Sequence, residues 1–217
     1  MKLYTYFRSS AAYRVRIALN LKQLPCELIP VHLLRDGGEQ HQPAYKAKNP
    51  LGVVPSLETD SGVLTQSLAI IEWLDETYPT IPLLPATADA RAYVRALSQT
   101  IACDIHPLNN LRVLRYLTHS LGVTEAQKTE WYRHWVYEGL LAVERILTAS
   151  GLSGTFCHGN EASMADCCLI PQVFNAQRFQ CPLTEFPNIQ RIVTFCETLE
   201  PFQAASPERQ LDAETAS

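Results

Sequence analysis

Three prolines in a span of seven residues, Pro79, Pro82 and Pro85, cut this chain into two stretches of different periodicity. Ahead of them, short apolar or aromatic runs alternate with amphipathic ones. From Asp89 onward the apolar residues follow helical spacing throughout. The switch implies two domains, an α/β unit over 1–80 and an all-helical unit over 87–217.

In the first stretch, strands are expected near 2–7, Glu27–His32, Val54–Thr59 and Val63–Thr65, the last two joined by a turn at Asp60-Ser61-Gly62. Helices are expected near 10–22 and over Ser67–Tyr78, with a short turn at Tyr45–Lys48 after a polar loop containing Gly37-Gly38. This β-α-β-α-β-β-α order is that of one α/β sandwich. In the second stretch, Ala90 to about His119 reads as one long helix kinked at Pro107. Glu125–Ala149 reads as another, and Ser163-Met164-Ala165-Asp166 as a capping box ahead of a buried helix. A last helix is expected from about Pro187 to Leu199, and the polar tail after Phe202 reads as loose.

With 217 residues, 47% of them hydrophobic, the chain can bury an ample core, and no apolar run reaches the roughly 18 residues of a membrane span. The N-terminus reads as a strand with an early Arg8 rather than a signal peptide. Seven cysteines without framework spacing suit a reduced, cytoplasmic setting. The formal net charge of −4 leaves no basic footprint for nucleic acid, so an anionic ligand would need a local cluster of arginines. Cys103-x-x-His106 and the Cys157-His158 and Cys167-Cys168 pairs lack the paired spacing of a zinc site, and no metal is expected.

Chemistry enters at Phe7-Arg8-Ser9-Ser10-Ala11-Ala12-Tyr13-Arg14-Val15-Arg16-Ile17-Ala18-Leu19, which puts two hydroxyls where a strand gives way to a helix. Serine is a favoured N-cap because its oxygen accepts an orphan backbone N–H. The same helix end carries a partial positive charge and free N–H donors, which stabilise an anion such as a thiolate.

The Arg8–Leu19 run resembles the S-S-C-x-W-R-V-R-I-A-L signature of the zeta class of glutathione transferases. Asn49-Pro50, Val53-Val54-Pro55, Gln66-Ser67-Leu68-Ala69-Ile70-Ile71-Glu72, Asp104-Ile105-His106-Pro107-Leu108-Asn109-Asn110, Pro171-Gln172-Val173 and Arg178-Phe179 extend the resemblance over nearly the whole chain. It implies a thioredoxin-like first domain, an all-helical second one, a homodimer, and glutathione as cofactor. The implied reaction turns the cis double bond of 4-maleylacetoacetate trans, in the breakdown of tyrosine and phenylalanine. Maleylpyruvate is the alternative substrate. A free thiol is only about 3% ionised at pH 7, so the protein must lower the pKa of the glutathione thiol. Where the signature carries cysteine third, this chain has Ala11; the reacting thiol is glutathione's, so activity is expected to survive.

By the resemblance, Ser9 donates a hydrogen bond to that thiolate, with Ser10 the second choice. Val54-Pro55 is expected to be a cis turn whose backbone pairs with the cysteinyl part of glutathione, Gln66 and Ser67 to hold its γ-glutamyl carboxylate, and Gln40 its glycine end. His106 and Asn110, four apart on the expected helix, complete the cofactor set. The substrate carries two carboxylates, and arginine binds carboxylate bidentately, so Arg8, Arg112 and Arg178 are the expected clamp. A dithiol oxidoreductase would need cysteine where Ser9 or Ala12 stands. General glutathione conjugation and a non-enzymatic binding module remain as alternatives; the module would be expected to have lost Ser9, Gln66, Ser67 and Asn110.

Overall fold

The computed structural model describes residues 1–213 and divides into two compact units, Met1–Leu84 together with the chain from Glu197, and Pro85–Cys196. In the first, β1 (Lys2–Thr5), β2 (Glu27–Pro30), β3 (Ser56–Thr59) and β4 (Gly62–Thr65) form a sheet of order β2-β1-β3-β4. β1 runs parallel to β2 and antiparallel to β3, which is antiparallel to β4. Leu3 sits opposite Leu28 on one side and Leu57 on the other, and both Leu3 and Leu57 are fully buried. β1 stops at Thr5, two residues short of the expected end. Tyr6 and Phe7 leave the sheet to pack with Val31, Tyr45 and Val54.

α1 (Ser10–Leu21) is buried at every position from Ala12 to Leu19, Arg14 and Arg16 included. The sequence places these arginines merely between apolar positions; no face of the helix is left to solvent over that stretch. α2 (Pro43–Lys46) is a single turn, and α3 (Ser67–Thr77) packs against α1. An ion pair stitches the two longer helices together. Lys22 Nζ lies 3.1 Å from Asp75 Oδ1, with the two side chains 1% and 7% exposed. Lys22 also donates to the Ile81 carbonyl at 2.6 Å, and Asp75 accepts the Leu83 N–H at 2.6 Å. The proline-rich segment is thereby tied to the first unit's core.

The second unit is helical. α4 (Ala88–Gln99) is capped by Thr87, whose hydroxyl accepts the Ala90 N–H. The single long helix expected to reach His119 does not form. After α4 the chain widens into a π-helical stretch over Thr100–Ile105, tightens to a 3-10 turn over His106–Asn109, and breaks at Asn110, which is extended (φ −70°, ψ 146°). Pro107 has no N–H to continue an α-ladder, and Asn110 restarts the chain as the N-cap of α5 (Leu111–Arg115), its Oδ1 accepting the Arg112 N–H. α6 (Glu125–Ser150) opens on a capping box of Thr124 and Gln127 and ends at Gly151 in the left-handed conformation. α7 (Met164–Arg178) is buried along most of its length, with the Asp166 carboxylate accepting from the Ser163 N–H, the Ser163 hydroxyl and the Cys157 N–H. α8 (Pro187–Cys196) starts on the Glu144 carboxylate, which accepts the Asn188 and Ile189 N–H groups.

The last segment departs from the sequence reading. α9 (Glu200–Ala205) packs on α1 in the first unit rather than belonging to a helical domain running to 217. The tail after Phe202 is not loose over its described part, since Ala205, Pro207 and Gln210 are buried. The cause is the apolar surface of α1, which needs a second cover besides α3. Truncating Asp75 to Ala should leave Lys22 and the Leu83 N–H without their carboxylate and cost about 3–5 kcal/mol of stability in urea unfolding, the range for a broken buried pair. The double replacement Lys22→Met, Asp75→Leu should recover only the part due to the unpaired Lys22 charge, since the Leu83 N–H and the Ile81 carbonyl stay without these partners.

Candidate active site

Ser9 has extended backbone (φ −74°, ψ 114°), and its Oγ accepts the Ala12 N–H at 3.2 Å, which makes it the N-cap of α1. Capping occupies a lone pair of the oxygen. The hydroxyl proton is donated to no group among the described residues, so it remains available to an anion. No acidic side chain lies in the first turn of α1, so the positive end of its dipole is not neutralised from within. Ser10 is buried inside that first turn. Arg8 is exposed, its guanidinium 4.8 Å from the Phe7 ring centroid.

The Val54-Pro55 bond is cis. The Val53 carbonyl just before it takes hydrogen bonds from Tyr45 Oη and Asn49 Nδ2, each at 2.8 Å, which pins the turn. Neither the N–H nor the C=O of Val54 has a protein partner among the described residues. Val54 packs in the same cluster as Phe7, two residues before Ser9. Gln40 is buried. Its Nε2 donates to the Leu33 carbonyl at 3.4 Å, while its Oε1 has no partner among the described residues. Gly38 allows this placement: its φ is +104°, and a Cβ there would meet the Gln40 amide at 2.6 Å.

At the start of α3 the N-cap position falls on Gln66. Gln66 holds φ +70°, a conformation that costs a non-glycine residue on the order of 1–3 kcal/mol and is commonly found at functional sites. Ser67 is buried, and its Oγ accepts from Arg14 Nη1 at 3.2 Å. Arg14 thus runs from α1 to the N-terminus of α3.

The remaining expected residues lie in the second unit. His106 and Asn110 meet, with Asn110 Nδ2 3.2 Å from His106 Nε2, although they share no regular helix. Arg112 is exposed and its side chain has no ion-pair partner among the described residues. Arg178, at the exposed end of α7, stands 5.0 Å from the Phe179 ring centroid, and Phe179 stacks on Tyr132 at 3.7 Å. Three successive residues of α6 hold both segments. Trp131 Nε1 donates to the Leu108 carbonyl at 2.7 Å, Tyr132 carries the stack, and Arg133 Nε donates to the Phe179 carbonyl at 2.9 Å. Burial raises the Tyr132 phenol well above its usual pKa, with the charge of Arg178 opposing.

Residues 3–82 match the N-terminal domain of glutathione S-transferases. A probable maleylacetoacetate isomerase from Vibrio cholerae is 50% identical over 97% of both chains. Among solved structures, a holo maleylpyruvate isomerase described as a bacterial zeta-class glutathione transferase is 46% identical, with a TM-score of 0.95 over 99% of this chain and 100% of that one. A maleylacetoacetate isomerase from Methylobacterium extorquens AM1, solved with malonate and glutathione bound, superposes with the same TM-score at 40% identity and the same coverage. This chain belongs to the zeta class of glutathione transferases.

In this zeta-class transferase the sequence motifs name candidate site residues but pass over the side chains that hold them. Arg14 and Arg16 lie inside the signature that carried the resemblance, yet their burial has no local mark. Arg16 donates to Thr5 Oγ1, to the carbonyls of Tyr6 and Phe7 and to that of Ala205, and burial pulls its pKa down to about 10, with Tyr13 and Asp212 opposing. Asn109 is a second omission: it is buried, and neither atom of its amide has a partner among the described residues. The cap and the free proton of Ser9 can be separated by mutation. Ser9→Ala should cost about 1 kcal/mol in urea unfolding through the lost cap, and Ser9→Asp should restore it while removing the hydroxyl donor.

Proposed function

We propose that this zeta-class transferase is a glutathione-dependent cis–trans isomerase of maleyl-type dicarboxylates, converting 4-maleylacetoacetate to 4-fumarylacetoacetate. The observation that carries the reading is the Ser9 proton, donated to no group among the described residues, at the N-terminus of a helix without acidic residues in its first turn. Bound glutathione supplies a thiolate, which adds reversibly to a conjugated double bond and leaves after the bond has rotated. Ser9 donates its proton toward that sulfur while its Oγ keeps the Ala12 N–H, and the two roles need different parts of one hydroxyl.

The polar groups left open on this chain fit a peptide-like cofactor. The Val54 N–H and C=O form one donor–acceptor pair for a backbone-like segment. Gln66 and Ser67, at the N-terminus of α3, suit a carboxylate, and the buried Gln40 Oε1 suits an N–H donor. His106 and Asn110 join this cofactor set. Ser10, buried in the first turn, is the fallback for the donor role. Arg8, Arg112 and Arg178 receive the substrate's carboxylates, which a chain of net charge −4 must do with local cations. None of the protein's own thiols stands at the N-terminus of α1, and burial pushes those of Cys157 and Cys167 far above their usual pKa.

None of the cysteines forms a disulfide, and no helix among the described residues is long and apolar enough to cross a membrane; both fit the cytoplasmic setting we assign. The family's homodimer is the assembly we assign as well. A maleylpyruvate isomerase from Ralstonia is 47% identical over 98% of this chain, so maleylpyruvate is the second substrate to test.

Protein freed of small thiols should not isomerise maleylacetone, and glutathione should restore turnover; equal rates without any thiol would overturn the cofactor assignment. Assays of maleylacetoacetate and maleylpyruvate side by side then rank the substrates by kcat/KM. Arg112→Ala and Arg178→Ala should each weaken substrate binding by about 1.5–3 kcal/mol, the scale of a hydrogen bond to a charged group, with much smaller changes for glutathione. If both variants keep the parental kcat/KM, the carboxylates are received elsewhere and Arg8 becomes the site to test.

A further inference from the structure

The segment from Tyr6 to Arg8 belongs neither to β1 nor to α1, so its peptide groups have no ladder to pair with. They are claimed instead by the two ends of the chain. The Phe7 N–H donates to Asp212 Oδ2 at 3.0 Å, and the Phe7 carbonyl accepts from Arg16 Nη2 at 3.0 Å. The Tyr6 carbonyl accepts the Ser9 N–H at 2.9 Å and Arg16 Nη1 at 3.4 Å. Arg16 Nε in turn holds the Ala205 carbonyl at 3.0 Å, at the end of α9. Beyond α9, Gln210 Nε2 donates to the carbonyls of Ala204 and Ser206 at 3.0 and 2.8 Å, folding the chain back. Ala213 then packs on the cluster that contains Tyr6, Phe7 and Val54.

We propose that Asp212 is a positioning residue for the reaction, and that residues 206–213 form a strap which fixes the Phe7 peptide and, through it, the direction of the Ser9 hydroxyl. The inference rests on the assignment of Ser9 as thiolate donor. Both backbone polar groups of one residue, Phe7, two before Ser9, are gripped by charged groups, and each grip involves the C-terminal segment, directly through Asp212 or through Arg16 and Ala205. A tail that only covered α1 would need the apolar contacts of Phe202 and Ala205, not a carboxylate on this N–H. Small displacements of a catalytic group cost large factors in rate, so a grip at this point governs the chemistry more than glutathione binding.

The test reads the pKa of the glutathione thiol bound to the full-length protein, from thiolate ultraviolet absorbance, beside the pH dependence of kcat/KM. Asp212→Ala should raise that pKa by about half to one unit, so the rate falls about three- to tenfold below the parental pKa and the loss vanishes above the shifted one. The KM for glutathione should stay within about twofold, and Asp212→Asn, which keeps an acceptor oxygen, should return most of the shift. Gln210→Ala, which loosens the strap without touching Asp212, should shift the pKa in the same direction by less. An unchanged pH profile in Asp212→Ala and Gln210→Ala, with only the melting temperature lowered, makes the strap a stability element and overturns the inference. Ser9→Ala separates the two levels: if it leaves the thiol pKa unmoved, the Ser9 assignment falls and takes this inference with it. If Ser9→Ala shifts the pKa and the strap variants do not, the inference falls alone.

Discussion

A peptide that has left a strand and not yet entered a helix must find partners for its N–H and C=O groups or bear the cost of burying them unpaired. In this protein that problem arises between Thr5 and Ser9, and its solution is a buried guanidinium. Arg16 gathers Thr5 Oγ1 and the carbonyls of Tyr6, Phe7 and Ala205 on one side chain. Five fixed N–H donors in one plane make arginine suited to such a junction, and a lysine could not reproduce it. The exit of β1, the entry of α1 and the end of α9 are thereby held as one piece.

Arg16 is one of three cations that α1 and its C-cap send into the first unit, each to a different place. Arg14 reaches Ser67 at the start of α3, and Lys22 reaches Asp75 near its end and the Ile81 carbonyl beyond it. Burying three charges between Arg14 and Lys22 is expensive by itself. The partners are backbone carbonyls, hydroxyls and one carboxylate, groups that would themselves suffer if left bare. The orientation of α1 against α3 matters functionally because both helices begin at proposed glutathione contacts, Ser9 on one and Gln66-Ser67 on the other.

The second unit reaches its arrangement by interrupting helices. A continuous α-helix from residue 90 to 119 would lack the N–H of Pro107 for the Cys103 carbonyl. Widening at Thr100–Ile105 and breaking at Asn110 exposes side chains in irregular register instead. His106 and Asn110 then meet over a 3-10 turn that Trp131 fixes through the Leu108 carbonyl. Arg178 depends on the neighbouring residues of the same helix, through the Tyr132–Phe179 stack and the Arg133 bond to Phe179.

The sequence by itself determined the alternation of strands and helices up to Pro79, the all-helical character beyond Pro85, the caps at Ser9 and Ser163 and the family to which the chain belongs. These rest on local signals: side-chain period, cap chemistry, proline geometry and short motifs. Tertiary structure alone decided that Arg14 and Arg16 are buried, that Gln66 takes a left-handed backbone at the head of α3, that the helix around Pro107 breaks at Asn110, and that the polar tail returns to the first unit to place Asp212 on the Phe7 N–H. Periodicity reports which face of an element is apolar, not which distant segment will cover it. Nor does it report where a backbone elsewhere will be left short of donors, and that shortage is what draws a charged side chain into the core.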